Sequence, residues 1–336
     1  MDNERSRKSS GLGRLALAGA AAWIAYSAFM KKQALDARRD NGPLPVAPEL
    51  SRTALVDGVV MRWEEHGTAE ADPARPPVVM VHGIPTNPRL WRYVVPQLEG
   101  ERIRCLAWEQ VGFGWSIDEG LGRDISIPRQ AEYLADWLRD QGIEKAVFVG
   151  HDVGGGVVQA LLATHPEFFA GVVLCDSVAF DNWPVPAMKL VQSMNRVVEH
   201  LPPAVVMQLF HTGIRSLGHD NMARATESAV LLWEPYNRPT GPAGFANQAR
   251  QLSPDDTLEA AAHLEARPDL PVRIVWGEKD PLGLESAERL AMLLGAPGVE
   301  TIPGGKHFNP EDHPDIVAEA IRQVLNEARG NSPAIP

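Results

Sequence analysis

Three residues of this 336-residue sequence have types and spacing suited to covalent catalysis: Asp152, Asp280 and His307. Asp152 is the centre of Gly150-His151-Asp152-Val153-Gly154, which follows an apolar run from Ala146 and opens a Gly- and Val-rich stretch. A Gly-x-nucleophile-x-Gly turn between a strand and a helix thrusts its central side chain above the strand end, and the glycines leave room for so sharp a bend. An aspartate at that point is suited to displacement at saturated carbon. Attack on a carbon bearing halogen, or on an epoxide carbon, gives an alkyl ester that water then cleaves at the aspartate's own carbonyl. Attack on an acyl ester would instead give an anhydride more reactive than the substrate. The oxyanion of the second step forms on Asp152, where the backbone N–H groups of Val153 and Ile84 are expected to stabilise it. Helix capping alone would not require glycine at 150, 154 and 155.

Ester hydrolysis needs a base, and His307 stands in the Gly-rich segment GGKHFNPEDHP, after the short apolar run Val299 to Ile302 and before a helix expected from Pro314. Two acids can orient its imidazole. Asp280, in VWGEKDPLG after an apolar run ending at Gly277, gives the order nucleophile, acid, histidine; Asp176, at the end of GVVLCD, is the alternative. No metal constellation is present, and GGG at 154–156 lacks the G-x-G-x-x-G spacing of a dinucleotide site, so no cofactor is expected.

The elements that must position these residues are legible as alternating apolar runs and amphipathic stretches. Strands are expected at Val78 to His82, Arg104 to Trp108, Ala146 to Gly150, Gly171 to Cys175 and Val272 to Gly277, with helices near Ile127 to Gln141 and Gly154 to Thr164. The alternation implies βαβ units, hence an α/β chain with a mostly parallel, doubly wound sheet, and strands apolar throughout imply cover on both faces. From 179 to 265 the alternation stops. Helix-length segments such as Pro186 to His200 and Asn221 to Trp233, broken by prolines, predict a helical cap inserted between two strands. The core is thus expected as 51–178 and 266–330, with the cap at 179–265.

The first 40 residues differ in kind. They hold eight Lys/Arg against four Asp/Glu, a net +4 in a chain of net charge −11. Within this basic tail, Leu15 to Met30 is uncharged and Ala-rich, flanked by Arg5, Arg7, Lys8 and Arg14 on one side and Lys31 and Lys32 on the other. As a helix it would span about 24 Å, short of a hydrocarbon core of about 30 Å, so membrane association through residues 15–30 is expected without a defined orientation. A cleaved leader to a secreted or periplasmic protein, and a soluble cytoplasmic protein with an apolar helix, are the alternatives. Residues 41–50, with three prolines and a glycine, suit a linker. The acidic remainder carries no basic stripe interleaved with aromatics and argues against a nucleic-acid surface. Cys105 and Cys175 lie in apolar runs and suit core filling.

From about residue 53 to 328 the chain resembles the haloalkane dehalogenase and epoxide hydrolase branch of the α/β-hydrolases, in HGIPTNPRLWRYVVPQL at 82–98, VGFGWS at 111–116 and the Asp152 turn. The resemblance implies the α/β-hydrolase fold and the Asp-His-Asp set. It also sets what each substrate class would need. The dehalogenases hold the departing halide with a Trp after the nucleophile and often an Asn after the HG pair; Val153 and Ile84 stand there instead, and neither side chain donates a hydrogen bond. A cap tryptophan, Trp183 or Trp233, is the conceivable replacement. The epoxide hydrolases protonate the opening oxygen from cap tyrosines; Tyr236 alone of the tyrosines lies in the cap, with His200 or His211 as a possible second donor. Since a halide pair is missing and one tyrosine remains, the leading expectation is opening of an epoxide on a small or medium apolar substrate, with water as co-substrate. Dehalogenation follows. A β-lactone decarboxylase and a membrane-tethered, non-enzymatic binding protein on the same scaffold are the further alternatives.

Overall fold

The computed structural model describes residues 52–330 apart from 68–70, 99 and 101; the basic tail, its apolar stretch at 15–30 and the linker at 41–50 lie outside the described residues. Eight strands form one sheet: β1 (Arg52–Val56), β2 (Val59–His66), β3 (Val78–Val81), β4 (Cys105–Glu109), β5 (Ala146–Asp152), β6 (Phe169–Ser177), β7 (Val272–Gly277) and β8 (Val299–Ile302). Their order is β1-β2-β4-β3-β5-β6-β7-β8, parallel from β4 to β8, with β2 antiparallel to both of its neighbours. This is the α/β-hydrolase architecture.

The β1–β2 hairpin is not among the expected elements, although its signal is in the sequence. Asp57-Gly58 is a two-residue turn that favours positive φ at both positions, and the backbone adopts 46° and 76° there. The expected strands, and the helices expected at Ile127 to Gln141 and Gly154 to Thr164, fall within about two residues of expectation, the usual uncertainty of element ends.

Alternate residues of the central strands feed two cores. Val79, Val81, Leu106, Trp108 and Phe148 pack on one face of the sheet, and Val78, Met80, Ala107, Val147 and Val149 on the other. The first face is covered by α1 (Ile127–Asp140) and α2 (Val153–Thr164), the second by a C-terminal helix at 314–330. Cys105 and Cys175 are free and buried in the second core. Both faces being covered accounts for strands that are apolar at nearly every position.

Between β6 and β7 come α3 (Pro186–Ser193), α4 (Pro203–Gly213), α5 (Met222–Trp233), α6 (Gly241–Arg250) and α7 (Pro254–His263). The helix expected over 186–200 is interrupted: α3 ends at Ser193, and after Met194 only a single turn, Asn195–Val198, follows. Helix α7 packs against α1 and α2, so it belongs to the layer on the sheet rather than to the cap above it. Among the described residues, no helix is long and apolar enough to cross a membrane.

Candidate active site

Asp152 ends β5 at φ 52° and ψ −125°, a conformation sparsely populated by residues with a side chain. Two glycines make the close approaches around it. A Cβ on Gly154 would overlap the carbonyl oxygens of Val81 and His82, and one on Gly83 would overlap the Asp152 carboxylate itself. The start of α2 therefore sits hard against the end of β3, and this brings the loop after β3 to the Asp152 turn. The Ile84 N–H donates to Asp152 Oδ1 at 2.8 Å.

His307 occupies the loop after β8. Its Nε2 lies 3.4 Å from Asp152 Oδ2, and its Nδ1 is 2.6 Å from Asp280 Oδ2. Asp280 comes from the turn after β7, and its second oxygen accepts from the Leu282 N–H at 2.6 Å. One carboxylate is thus fixed by backbone on one side and by imidazole on the other. Three strand ends, those of β5, β7 and β8, deliver the three side chains to one place.

The electrostatics follow from burial between opposite charges. Burial works to raise the Asp152 pKa, but His307, through hydrogen bond and charge, together with His151 and the Val153 N–H, holds it below the usual carboxylate value. Burial works to lower the His307 pKa, and the charge of Asp280 with the hydrogen bonds to both carboxylates raises it well above the usual imidazole value.

Asp176, the alternative acid, makes no hydrogen bond or ion pair with His307. Its Oδ1 accepts from the Gly277 N–H at 2.8 Å and its Oδ2 from Asn309 Nδ2 at 2.7 Å. It ties β6 to β7 and to the segment that follows His307. Burial, and then the charge of Asp280, push its pKa well up.

Two histidines that the sequence analysis did not single out frame the site. His151 Nε2 donates to the His307 carbonyl oxygen at 2.8 Å, and the two rings lie 4.7 Å apart. His82 Nε2 accepts from the Gln110 N–H at 3.2 Å, while its Nδ1 faces the Gly83 carbonyl at 3.0 Å. Burial lowers each pKa to about 4, so both are neutral at neutral pH. Each stands within two residues of a motif glycine, the one signal the sequence offered for them.

Above Asp152 lies a cavity of about 170 Å³. It is walled by Val185, Met188, Val191, Phe210, Phe245 and Leu282, among others, and Asp152 and His307 alone bring side-chain polar groups to it among the described residues. The cap donors expected from sequence are elsewhere. Tyr236 is fully buried behind Phe210 and Phe245, with its hydroxyl hydrogen-bonded to Gln248 at 3.1 Å. His200 is exposed beside Glu199 at 3.4 Å. His211 is buried off the cavity with neither ring nitrogen in a side-chain hydrogen bond, and burial lowers its pKa to about 4. The tryptophans fare no better as halide donors: Trp183 Nε1 is engaged by Thr257 Oγ1 at 2.7 Å, and Trp233 stacks on Tyr236. For His211 and Trp233, which lie on cap helices, the reason is packing. In a cap built of short helices, which face a side chain takes is set by packing between helices that periodicity does not resolve.

Comparisons with known proteins agree with this fold. Residues 76–314 match the family model described as alpha/beta hydrolase fold. The chain is 33% identical over 317 residues to Epoxide hydrolase A of Mycobacterium tuberculosis, covering 81% of this chain and 96% of that protein. It is 26% identical over 253 residues to Haloalkane dehalogenase 2 of the same species, covering 73% and 86%. A solved alpha/beta hydrolase fold protein from Burkholderia ambifaria superposes with a TM-score of 0.71 at 24% identity, over 82% of this chain and 98% of that one.

Proposed function

Because the chain belongs to the α/β hydrolase fold family, we propose that it hydrolyses an apolar electrophile in two steps through an ester on Asp152. The Asp152 carboxylate attacks a saturated carbon, the bond from that carbon to its leaving group breaks with the electron pair on the leaving group, and an alkyl ester forms. His307, oriented through Nδ1 by Asp280, then takes a proton from water, and the hydroxide formed attacks the Asp152 carboxyl carbon. The Ile84 N–H, already on Oδ1, and the Val153 N–H stabilise the oxyanion. The observation that carries this reading is the contiguous array of Asp152, His307 and Asp280 opening onto an otherwise apolar cavity.

An epoxide is the substrate class this reading favours. Displacement is in line, so the leaving group departs on the side away from Asp152 and His307, into apolar walls. A halide ion there has to be held by fixed N–H donors against a desolvation cost of several kcal/mol. The oxygen of an opening epoxide stays tethered to the substrate, so no free ion has to be lodged among those walls, and it takes up its proton from solvent through the cavity mouth. Identity of 33% to Epoxide hydrolase A supports this class; a second epoxide hydrolase, at 23%, stands below Haloalkane dehalogenase 2, at 26%. Dehalogenation is the second reading, supported by that relative.

His307→Gln removes the base and leaves the nucleophile, so it traps the ester. Incubated with a terminal alkyl epoxide and analysed by mass spectrometry, the variant is expected to carry the whole epoxide mass on a peptide containing Asp152. A 1-bromoalkane, in the second reading, adds its mass less that of hydrogen bromide. Unchanged turnover by the variant, or an adduct on another residue, would overturn the mechanism.

A further inference from the structure

Among the described residues, eleven large apolar side chains are substantially exposed, and seven of them fall between Leu190 and Met222. Such concentration in one stretch marks an interaction surface rather than scattered exposure. Leu190, Met194 and Val197 recur at helical spacing along α3 and the turn after it, and Val205 and Leu209 do so along α4. Helix α3 has no buried residue at all, although it contains Ala187, Met188, Leu190 and Val191.

The same face surrounds the way into the cavity. Leu209 and Leu217 are 52% and 46% exposed and also line the cavity, as do the exposed Ala187 and Pro281. The mouth therefore lies between α3, α4 and residues 214–218. Charge along it runs against that of the protein: residues 186–222 hold Lys189, Arg196 and Arg215 against Glu199 and Asp220, in a chain of net charge −11.

We propose that this cap face docks on an anionic lipid bilayer, so that an apolar substrate passes from the hydrocarbon into the cavity without crossing bulk water. Exposed apolar side chains interspersed with cations suit the interface of such a bilayer, where burial and attraction to anionic headgroups add. A second copy of the chain would bring the same small positive excess and no complementary charge. The chain outside the described residues supplies a compatible tether. Its apolar stretch at 15–30 is flanked by cations, and residues 32–51 can extend to about 70 Å, enough to leave the cap face free to reach the bilayer that the stretch would enter. What passes into the cavity rests on the hydrolase reading above; docking does not, and is measurable without substrate.

The test uses the full chain carrying Met194→Cys, labelled with a polarity-sensitive dye; Cys105 and Cys175 are buried. Vesicles of three parts phosphatidylcholine to one part phosphatidylglycerol are expected to shift the dye emission to the blue, and phosphatidylcholine alone to do so much less. Adding Leu190→Ser and Val197→Ser, which touch neither the cavity nor Asp152, should at least halve that shift with circular dichroism unchanged. Absence of a shift would overturn the proposal, and so would a shift indifferent to the serines or to phosphatidylglycerol. A shift without vesicles that grows with protein concentration would assign the face to a second copy instead.

Discussion

His307 changes its surroundings when the proposed ester forms, and this has a measurable sign. In the free protein its pKa is raised by two carboxylates, Asp280 and Asp152. Alkylation makes Asp152 neutral and removes one of the two, so the imidazole loses its proton more readily in the ester than in the free protein. A protonated His307 cannot act as base, so ester breakdown should rise with pH to a plateau. Its half-point is expected below the His307 titration of the free protein, read by NMR. Coincidence of the two would show that Asp152 does not act on the imidazole. The same residues show what sequence makes legible. Asp152 stands in a motif whose glycines are demanded by backbone contact, and Asp280 and His307 follow in a fixed chain order at strand ends. Tyr236, His200 and His211 had no such anchor, only a place in the cap, and none of them reaches the cavity.

At the scale of elements, Asp280 and Asp176 are both carboxylates at the ends of neighbouring strands, but they bind different partners. Asp280→Asn replaces the oxygen that faces His307 Nδ1 and should lower turnover by about 10²-fold or more, as loss of an orienting acid does. Asp176 holds the Gly277 and Asn309 N–H donors, so Asp176→Asn puts an amide against one of them and should cost about 1–3 kcal/mol of stability, read in urea, with a smaller loss of turnover. The reverse order of turnover losses would give the relay to Asp176. Elements themselves were legible in proportion to their burial. The central strands, covered on both faces, read as apolar runs. The cap did not, because α3 buries no residue and α4 mixes cavity-facing, packed and exposed apolar positions. The β1–β2 hairpin shows a third case, a clear turn signal at Asp57-Gly58 that the search for βαβ alternation passed over.

The molecule as a whole is fastened by one buried cation. Arg92, in the loop after β3, donates through Nε to Glu227 at 3.0 Å, through Nη2 to Ser228 at 3.0 Å and through Nη1 to Glu311. Glu227 and Ser228 belong to α5 of the cap, and Glu311 follows His307 in the core. Arg92→Met should therefore leave two buried carboxylates without their cation and cost about 3–5 kcal/mol, measured by denaturant unfolding. Arg92→Lys should recover only part of this, since one ammonium cannot reproduce the forked contacts. A loss below about 1 kcal/mol would mean that the carboxylates are held by other partners.

Phe308 gives this fastening a second strand. Its ring lies 4.8 Å from that of His219 of the cap and 5.8 Å from that of His151 of the core, and its N–H donates to the Gly218 carbonyl at 2.8 Å. His307 is its immediate neighbour in the chain. Residues 218–219 cannot be displaced from the sheet without either breaking that stack and hydrogen bond or dragging the backbone that carries the imidazole. Where those contacts hold, the position of residues 218–219 and the aim of the imidazole are linked, so in the proposed reaction a cap displaced there would also misalign the histidine that activates water. On that proposal, guests that hold residues 218–219 away from Phe308 are expected to stall at the ester.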